Sequence, residues 1–255
     1  MLISGFILVI LLRPTFPNAP KFPFLLLSVF GLAGSQFTYL AAVSYSNAAA
    51  ATLLQFLFLP LVVTYEVLAG AIRWTRRWAA MLVLAVAGTL LLVGGVTRNG
   101  VQILVTPGGL LFGLLSALCA AYYTISSGRI VRGSDPWAVT AWGFVIGGAV
   151  TSPFGVLMLI DYSPPAGLAS IAAIALLAGF VTIFGTLLAY GFYISALRHL
   201  SASEVGVVAS WEPISAAVAA FVFLGVIMTY AQYLGGALIV LAVALLASRS
   251  QRRLG

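Results

Sequence analysis

IAAIALLAGFVTIFGTLLAYGFYISAL, residues 171–197, runs for 27 residues without a charged side chain. Together with the residues before it, from Gly167, it is long enough to suggest either one membrane crossing or two, because a helical crossing takes about 20 residues. Every later loop changes sides with that choice, so the topology of the chain rests on it.

The basic residues decide between the two. If the run crosses once and loops alternate, one side receives Arg13, Lys21, Arg73, Arg76, Arg77, Arg129, Arg132, Arg198, Arg249, Arg252 and Arg253, and the other receives Arg98 alone. Two crossings would move Arg198, Arg249, Arg252 and Arg253 across, leaving seven against five. Basic residues concentrate in cytoplasmic loops, so a single span is predicted, with the C-terminus in the cytoplasm. The net charge of +7 is then a topology signal and not the mark of nucleic acid or another acidic partner.

Outward from this run, apolar segments lie at 1–12, 22–43, 48–71, 78–96, 108–127, 136–160, 202–227 and 230–247, which makes nine in all. The breaks between them hold turn-forming and basic residues, as in RPTFPNAPK (13–21), RGSDP (132–136) and DYSPP (161–165). With 62% apolar and 7% charged residues, against about 25% charged in soluble domains, the chain is predicted to be an all-α multi-pass membrane protein. Strands are not expected, since the runs are continuous rather than alternating. One cysteine, Cys119, and one histidine, His199, leave nothing for an internal disulfide, a metal cluster or haem, so neither metal nor cofactor is expected.

Segment 1–12 rises only about 18 Å as a helix, short of the roughly 30 Å hydrocarbon core. A displacement of 154 residues aligns Phe30 and Gly31 with Phe184 and Gly185, Tyr39 with Tyr193, Ala42 with Ala196, Ala48 with Ala202, and Thr75 with Thr229. A one-residue slip brings Pro60 onto Pro213. The expected organisation is a first repeat at 1–96 with four spans, a loop at 97–107, a second repeat at 108–247 with five spans, and a basic tail at 248–255. On this offset a full first repeat would begin about 47 residues before Met1. Five is odd, so the two repeats are expected to be inverted across the membrane, a recurring transporter design.

The strings ALRHLSASE (196–204), WEP (211–213), LG (224–225) and LGGALI (234–239), with AVSYSNAA (42–49) and LP (59–60) in the first repeat, resemble the EamA family of the drug/metabolite transporter superfamily. The resemblance covers nearly the whole chain from Phe22. It implies a ten-helix fold with cytoplasmic termini, a central cavity and transport of small metabolites, often export of amino acids or related compounds. In two respects the sequence departs from the family: Val226 follows Gly225 where a glutamate is common, and the first helix is absent.

Polar residues within spans are the candidates for chemistry. Glu212 lies about 15 Å into its helix by helical rise, and intramembrane carboxylates are functional candidates by default. No basic residue lies within a span to pair with it, so it is a candidate for binding substrate and for proton coupling; the alternative is a helix–helix contact beside Pro213. Pro60 and Pro213 occupy matching helices and are predicted to break them, freeing the carbonyls of Phe56 and Ala209. Paired breaks point to a transporter's site. Around them, Gln55, Trp211, Tyr193, Tyr190, Tyr39 and Ser210 are cavity candidates, with Tyr122 and Trp142 nearby. Glu66 is expected to support the fold by reaching toward Arg73 or water. Glu204 closes a capping box from Ser201, and Asp135 and Asp161 read as turn residues.

The predicted function is secondary-active transport, directed by the family resemblance to export of small metabolites such as amino acids or related compounds, working by alternating access of the two repeats in a bacterial inner membrane. The expected partners are the lipid bilayer and a small molecule. A non-transporting scaffold or a truncated inactive carrier is the alternative. An intramembrane enzyme lacks its groups, since both aspartates lie in loops and His199 lies at the rim.

Overall fold

A computed structural model describes residues 1–71, 75–76, 79–80, 83–84, 87–88, 91, 94–97, 100–103, 105–160, 168–209, 212, 215, 222 and 229–250. In chain order the helices are α1 (Leu2–Leu12), α2 (Lys21–Tyr45), α3 (Ala48–Gln55), α4 (Phe58–Leu68), α5 (Pro107–Ile130) and α6 (Pro136–Ile160). Then come α7, which joins Leu168–Phe180, Val181–Leu188 and Ala189–Leu197, followed by α8 (Ala202–Ala209) and α9 (Tyr230–Ser250). Among the described residues, five helical stretches are long and apolar enough to cross a membrane: Lys21–Tyr45, Ala50–Leu68, Pro107–Gly133, Pro136–Val156 and Ile171–Leu197. The last is one uninterrupted span, as the charge distribution predicts. Only 11% of its apolar window is buried within the chain, which leaves side chains such as Leu176 and Leu177 open to lipid.

Two sequence expectations need correction. Strands do occur: Gly94–Thr97 (β1) and Gly100–Ile103 (β2) pair antiparallel, with Thr97 opposite Gly100 and Gly94 opposite Ile103. The β-branched Val96, Thr97, Val101 and Ile103 favour this short ribbon, and it takes the end of the segment expected to be helical to residue 96. Pro60 does not free a carbonyl at Phe56. The helix already stops at Gln55 and restarts at Phe58, and the Leu59 N–H donates to the Phe56 carbonyl at 3.1 Å. Pro60 therefore falls in the first turn of α4, where its missing N–H costs nothing. Pro213 lies outside the described residues.

Within α2 and α7, two segments of eight residues are wound as π-helix, Leu27–Gly34 and Val181–Leu188. Val181 follows Leu27 by 154 residues, and Leu188 follows Gly34 by the same 154. The same displacement relates the start of α3 to the start of α8, and the residue before each, Asn47 and Ser201, supplies a side-chain cap.

The chain divides into two compact units, Met1–Ala33 with Tyr123–Leu200, and Gly34–Tyr122 with Ser201–Gly255. In the first, α1 lies on α6 at backbone contact: a Cβ on Gly5 would meet the Val145 nitrogen at 2.8 Å, and one on Gly148 the Leu2 nitrogen at 2.5 Å. On another part of α6, a Cβ on Gly143 would meet Leu32 and one on Gly147 the Ser28 carbonyl, each at 2.5 Å. Small residues four apart let membrane helices approach this closely. The Ser4 hydroxyl donates to the Thr182 carbonyl of the second π segment at 3.2 Å. Pro153 interrupts the α6 ladder, and the Ser152 hydroxyl takes up the Ala149 carbonyl at 2.9 Å, the local rescue expected in a membrane.

In the second unit, α8 packs on α4 and α9. A Cβ on Gly206 would overlap Leu59, and one on Gly88 would come within 2.6 Å of the Gly235 carbonyl. The capping box is formed as the sequence predicts: Glu204 accepts from the Ser201 N–H at 2.8 Å, and the Glu204 N–H donates to the Ser201 hydroxyl at 3.3 Å.

Candidate functional site

The second unit gathers polar side chains along one face of α3. Thr52 and Gln55 are three residues apart and therefore neighbours on that face. The Tyr39 hydroxyl on α2 is 3.0 Å from the Thr52 hydroxyl, and Thr52 donates to the Ala48 carbonyl at 2.7 Å. The Gln55 amide donates to the Ser116 hydroxyl on α5 at 2.8 Å, and Ser116 in turn reaches the Ser35 carbonyl at 3.4 Å. Glu212 is exposed. Tyr39, Gln55 and Glu212, three of the residues singled out in the sequence, belong to one unit. Trp211 and Ser210 lie outside the described residues.

Tyr190 and Tyr193 belong to the other unit. There the Tyr123 ring sits 5.4 Å from Tyr193 and 5.5 Å from Tyr190, and Phe144 sits edge-on 5.4 Å from Tyr190. The Tyr193 hydroxyl pairs with the Thr124 hydroxyl at 3.0 Å. Among the described residues, the buried Tyr123 hydroxyl and, one turn further along α5, the buried Ser127 hydroxyl have no hydrogen-bond partner. Trp142 plays a structural part, its indole N–H donating to the Pro14 carbonyl at 3.3 Å.

Four residues of these clusters have little signal in the sequence: Thr52, Ser116, Thr124 and Tyr123. Serine and threonine return their hydroxyls to the preceding turn of a helix at little cost, so nothing local separates a structural hydroxyl from one that meets another helix. Glu66 accepts hydrogen bonds from the backbone and side chain of Ser203 in the first turn of α8, while Arg73, one partner expected for it, lies outside the described residues. Asp135 acts as a helix cap, accepting from the Ala138 N–H at 2.9 Å.

Long apolar helices carrying buried polar clusters define a multi-pass membrane protein. The EamA-like transporter family matches residues 107–248, more than half of the chain, and the protein belongs to that family. It is 29% identical over 230 residues to the uncharacterized inner membrane transporter YicL of Salmonella typhimurium, covering 90% of this chain and 74% of that one. It is 30% identical over 173 residues to a chloroplastic WAT1-related protein of Arabidopsis thaliana, covering 66% of this chain and 40% of that one. A solved crystal structure aligns with 99% of this chain and 84% of its own at a TM-score of 0.68 and 21% identity, a likeness of fold.

Proposed function

We propose that this EamA-like transporter exports small metabolites, such as amino acids or related compounds, across a bacterial inner membrane by alternating access of two inverted repeats. Glu212 carries the coupling proton, and Gln55 with Tyr39 contributes to the substrate site. Residues 1–96 form the first repeat, 97–107 the connection, 108–247 the second repeat and 248–255 a cytoplasmic tail.

The observation that carries this reading is the 154-residue correspondence of the two π segments and of the capped starts of α3 and α8. A π turn is uncommon and tends to occur at functional positions in helices. Its occurrence twice at one spacing supports descent of both halves from a common five-span unit, and an odd span number inverts one copy relative to the other. For Glu212, support comes from the cost of a carboxylate in a membrane segment, about 2.5–3.5 kcal/mol on insertion scales.

The test is resistance and efflux on expression, using toxic amino-acid analogues and cationic drugs. Expression is expected to raise resistance to at least one compound, and Glu212→Gln to abolish or uncouple its efflux while the protein still inserts. Unchanged pH-dependent efflux in that variant would remove the proton-carrying role.

A further inference from the structure

We propose that the seam between the second half of α5 and the end of α7 binds the carboxylate of a small metabolite, which takes the hydroxyl hydrogens of Tyr123 and Ser127. This deepens the transport reading by naming a chemical class of ligand, and it rests on that reading only for the parting of helices that admits the molecule.

Two unpaired hydroxyls mark the seam. Among the described residues, those of Tyr123 and Ser127 have no hydrogen-bond partner, and both side chains are sealed, at 6% and 0% exposure. Four residues separate them, so they share one face of α5. That face meets α7 within a single compact unit. The Tyr123 ring lies 5.4 Å from Tyr193, the Thr124 hydroxyl is 3.0 Å from the Tyr193 hydroxyl, and a Cβ on Gly128 would stand 3.8 Å from Leu197. Ser127 therefore sits between two contacts of α5 with α7.

Ser127 also forgoes the partner that its own helix offers. Ser28, Thr52, Thr64, Thr140 and Ser195 each return the hydroxyl to the carbonyl four residues earlier, at 2.7–2.8 Å, a common arrangement within helices. The Tyr123 carbonyl stands at that spacing from Ser127, and the bond is not made. A buried hydroxyl whose hydrogen has no acceptor is costly, and each such group in a native protein calls for an explanation.

The chemistry of the two hydroxyls selects an acceptor. An ammonium group would use their lone pairs and leave both hydrogens unpaired, whereas a carboxylate only accepts and has room for both. Hydrogen bonds to an ionised group are also roughly twice as strong as neutral ones. The nearest charge along each helix has the matching sign: residues 123–128 and 190–197 carry none, and the next residue in each case is an exposed arginine, Arg129 and Arg198. The approach of Gly128 to Leu197 puts these two positions at one end of the seam. An arginine near a helix C-terminus also offsets the negative end of the helix, so the arginines supply charge and the hydroxyls mark the site. Beside Tyr123, the Tyr190 and Phe144 rings continue an aromatic cluster suited to the apolar body of such a molecule.

Calorimetric titration of the full chain in phosphatidylcholine nanodiscs tests the site, with phenylpropionate as the carboxylate probe and phenethylamine as its amine counterpart. The wild type is expected to bind phenylpropionate more tightly than the amine. Tyr123→Phe and Ser127→Ala should each weaken that binding about tenfold, the worth of one hydrogen bond to a charged group. Thermal unfolding of the ligand-free variants should be unchanged or raised, since a hydroxyl without a partner stabilises nothing. The two variants are independent, so either one decides if the other does not fold. Undiminished phenylpropionate binding in the variants, equal or tighter binding of the amine, or no binding of phenylpropionate to the wild type overturns the site. Loss of binding when phosphatidylglycerol is added to the nanodiscs assigns the seam to a lipid headgroup and overturns the metabolite. Efflux that depends on Glu212 beside a failed titration leaves the transport reading standing without this site. Carboxylate binding without efflux of any compound keeps the site and removes the transport reading.

Discussion

The side-chain amide of Gln55 donates to the Ser116 hydroxyl at 2.8 Å, linking α3 to α5 across 61 residues of sequence. An inter-helix hydrogen bond in a membrane protein contributes about 0.6 kcal/mol on average and at most about 1.7. The bond is therefore a modest structural tie between Ser116 and Gln55, which the transport reading also places in the substrate site. Gln55→Ala and Ser116→Ala are expected to lower stability each by about 1 kcal/mol, and the double variant by less than their sum. Unfolding in detergent by denaturant for the four proteins of the cycle measures this; full additivity would mean that the two side chains do not interact.

Gly147 allows α6 to meet α2 at backbone distance, with the Ser28 carbonyl 2.5 Å from where a Cβ would stand. Since the obstacle is backbone rather than a flexible side chain, Gly147→Ala should cost about 1–3 kcal/mol. Gly155, on the same helix, has nothing within 4 Å of its would-be Cβ, and Gly155→Ala should leave stability unchanged or raise it by up to about 1 kcal/mol. Thermal unfolding of both variants distinguishes a tight contact from a general intolerance of α6 to alanine.

The two π segments should open more readily than the helical turns beside them, because local opening free energies follow local hydrogen-bond quality and packing. Amides of 27–34 and 181–188 are expected to exchange with deuterium about tenfold faster than those of 35–45 and 189–197, equivalent to about 1.4 kcal/mol of local stability. Ser4→Ala removes the hydroxyl that holds the Thr182 carbonyl and should speed exchange in 181–188 alone. Equal protection throughout both helices would count against the π segments as points of weakness.

Ser201 and Glu204 hold the start of α8 through reciprocal hydrogen bonds. Ser201→Ala should cost about 1 kcal/mol, within a range of roughly 0.5–2. Glutamine can fill the same position in a capping box, so Glu204→Gln should stay near wild type while Glu204→Ala falls. If Glu204→Gln lost transport at unchanged stability, the carboxylate would have a role beyond the cap.

Much of this was legible along the chain because each signal is local. A run of apolar residues must satisfy its own backbone hydrogen bonds in lipid, which makes it a helix whatever surrounds it, and residues 171–197 follow that rule through one span. The Ser201–Glu204 cap depends only on a three-residue spacing. The 154-residue offset found in Tyr39 and Tyr193 reappears in the bounds of the π segments.

Pro60 illustrates where such reading stops. A proline forbids a hydrogen bond to its own nitrogen but does not dictate where the helix will break, and the break at Phe56 and Leu57 puts it in a first turn instead of a bend. Composition likewise gave no reason for the Gly94–Thr97 and Gly100–Ile103 ribbon, which depends on two short segments meeting.

By itself, the sequence determined that the chain is a helical multi-pass membrane protein and that residues 171–197 form one apolar helical stretch long enough to cross a bilayer. Tertiary structure alone decided that Tyr39 meets Thr52, that Gln55 meets Ser116 and that Glu66 turns to Ser203. Burial in lipid and capping act on neighbours along the chain, whereas the partner of a polar side chain is fixed by which helix faces meet, and that follows from packing among residues far apart in sequence.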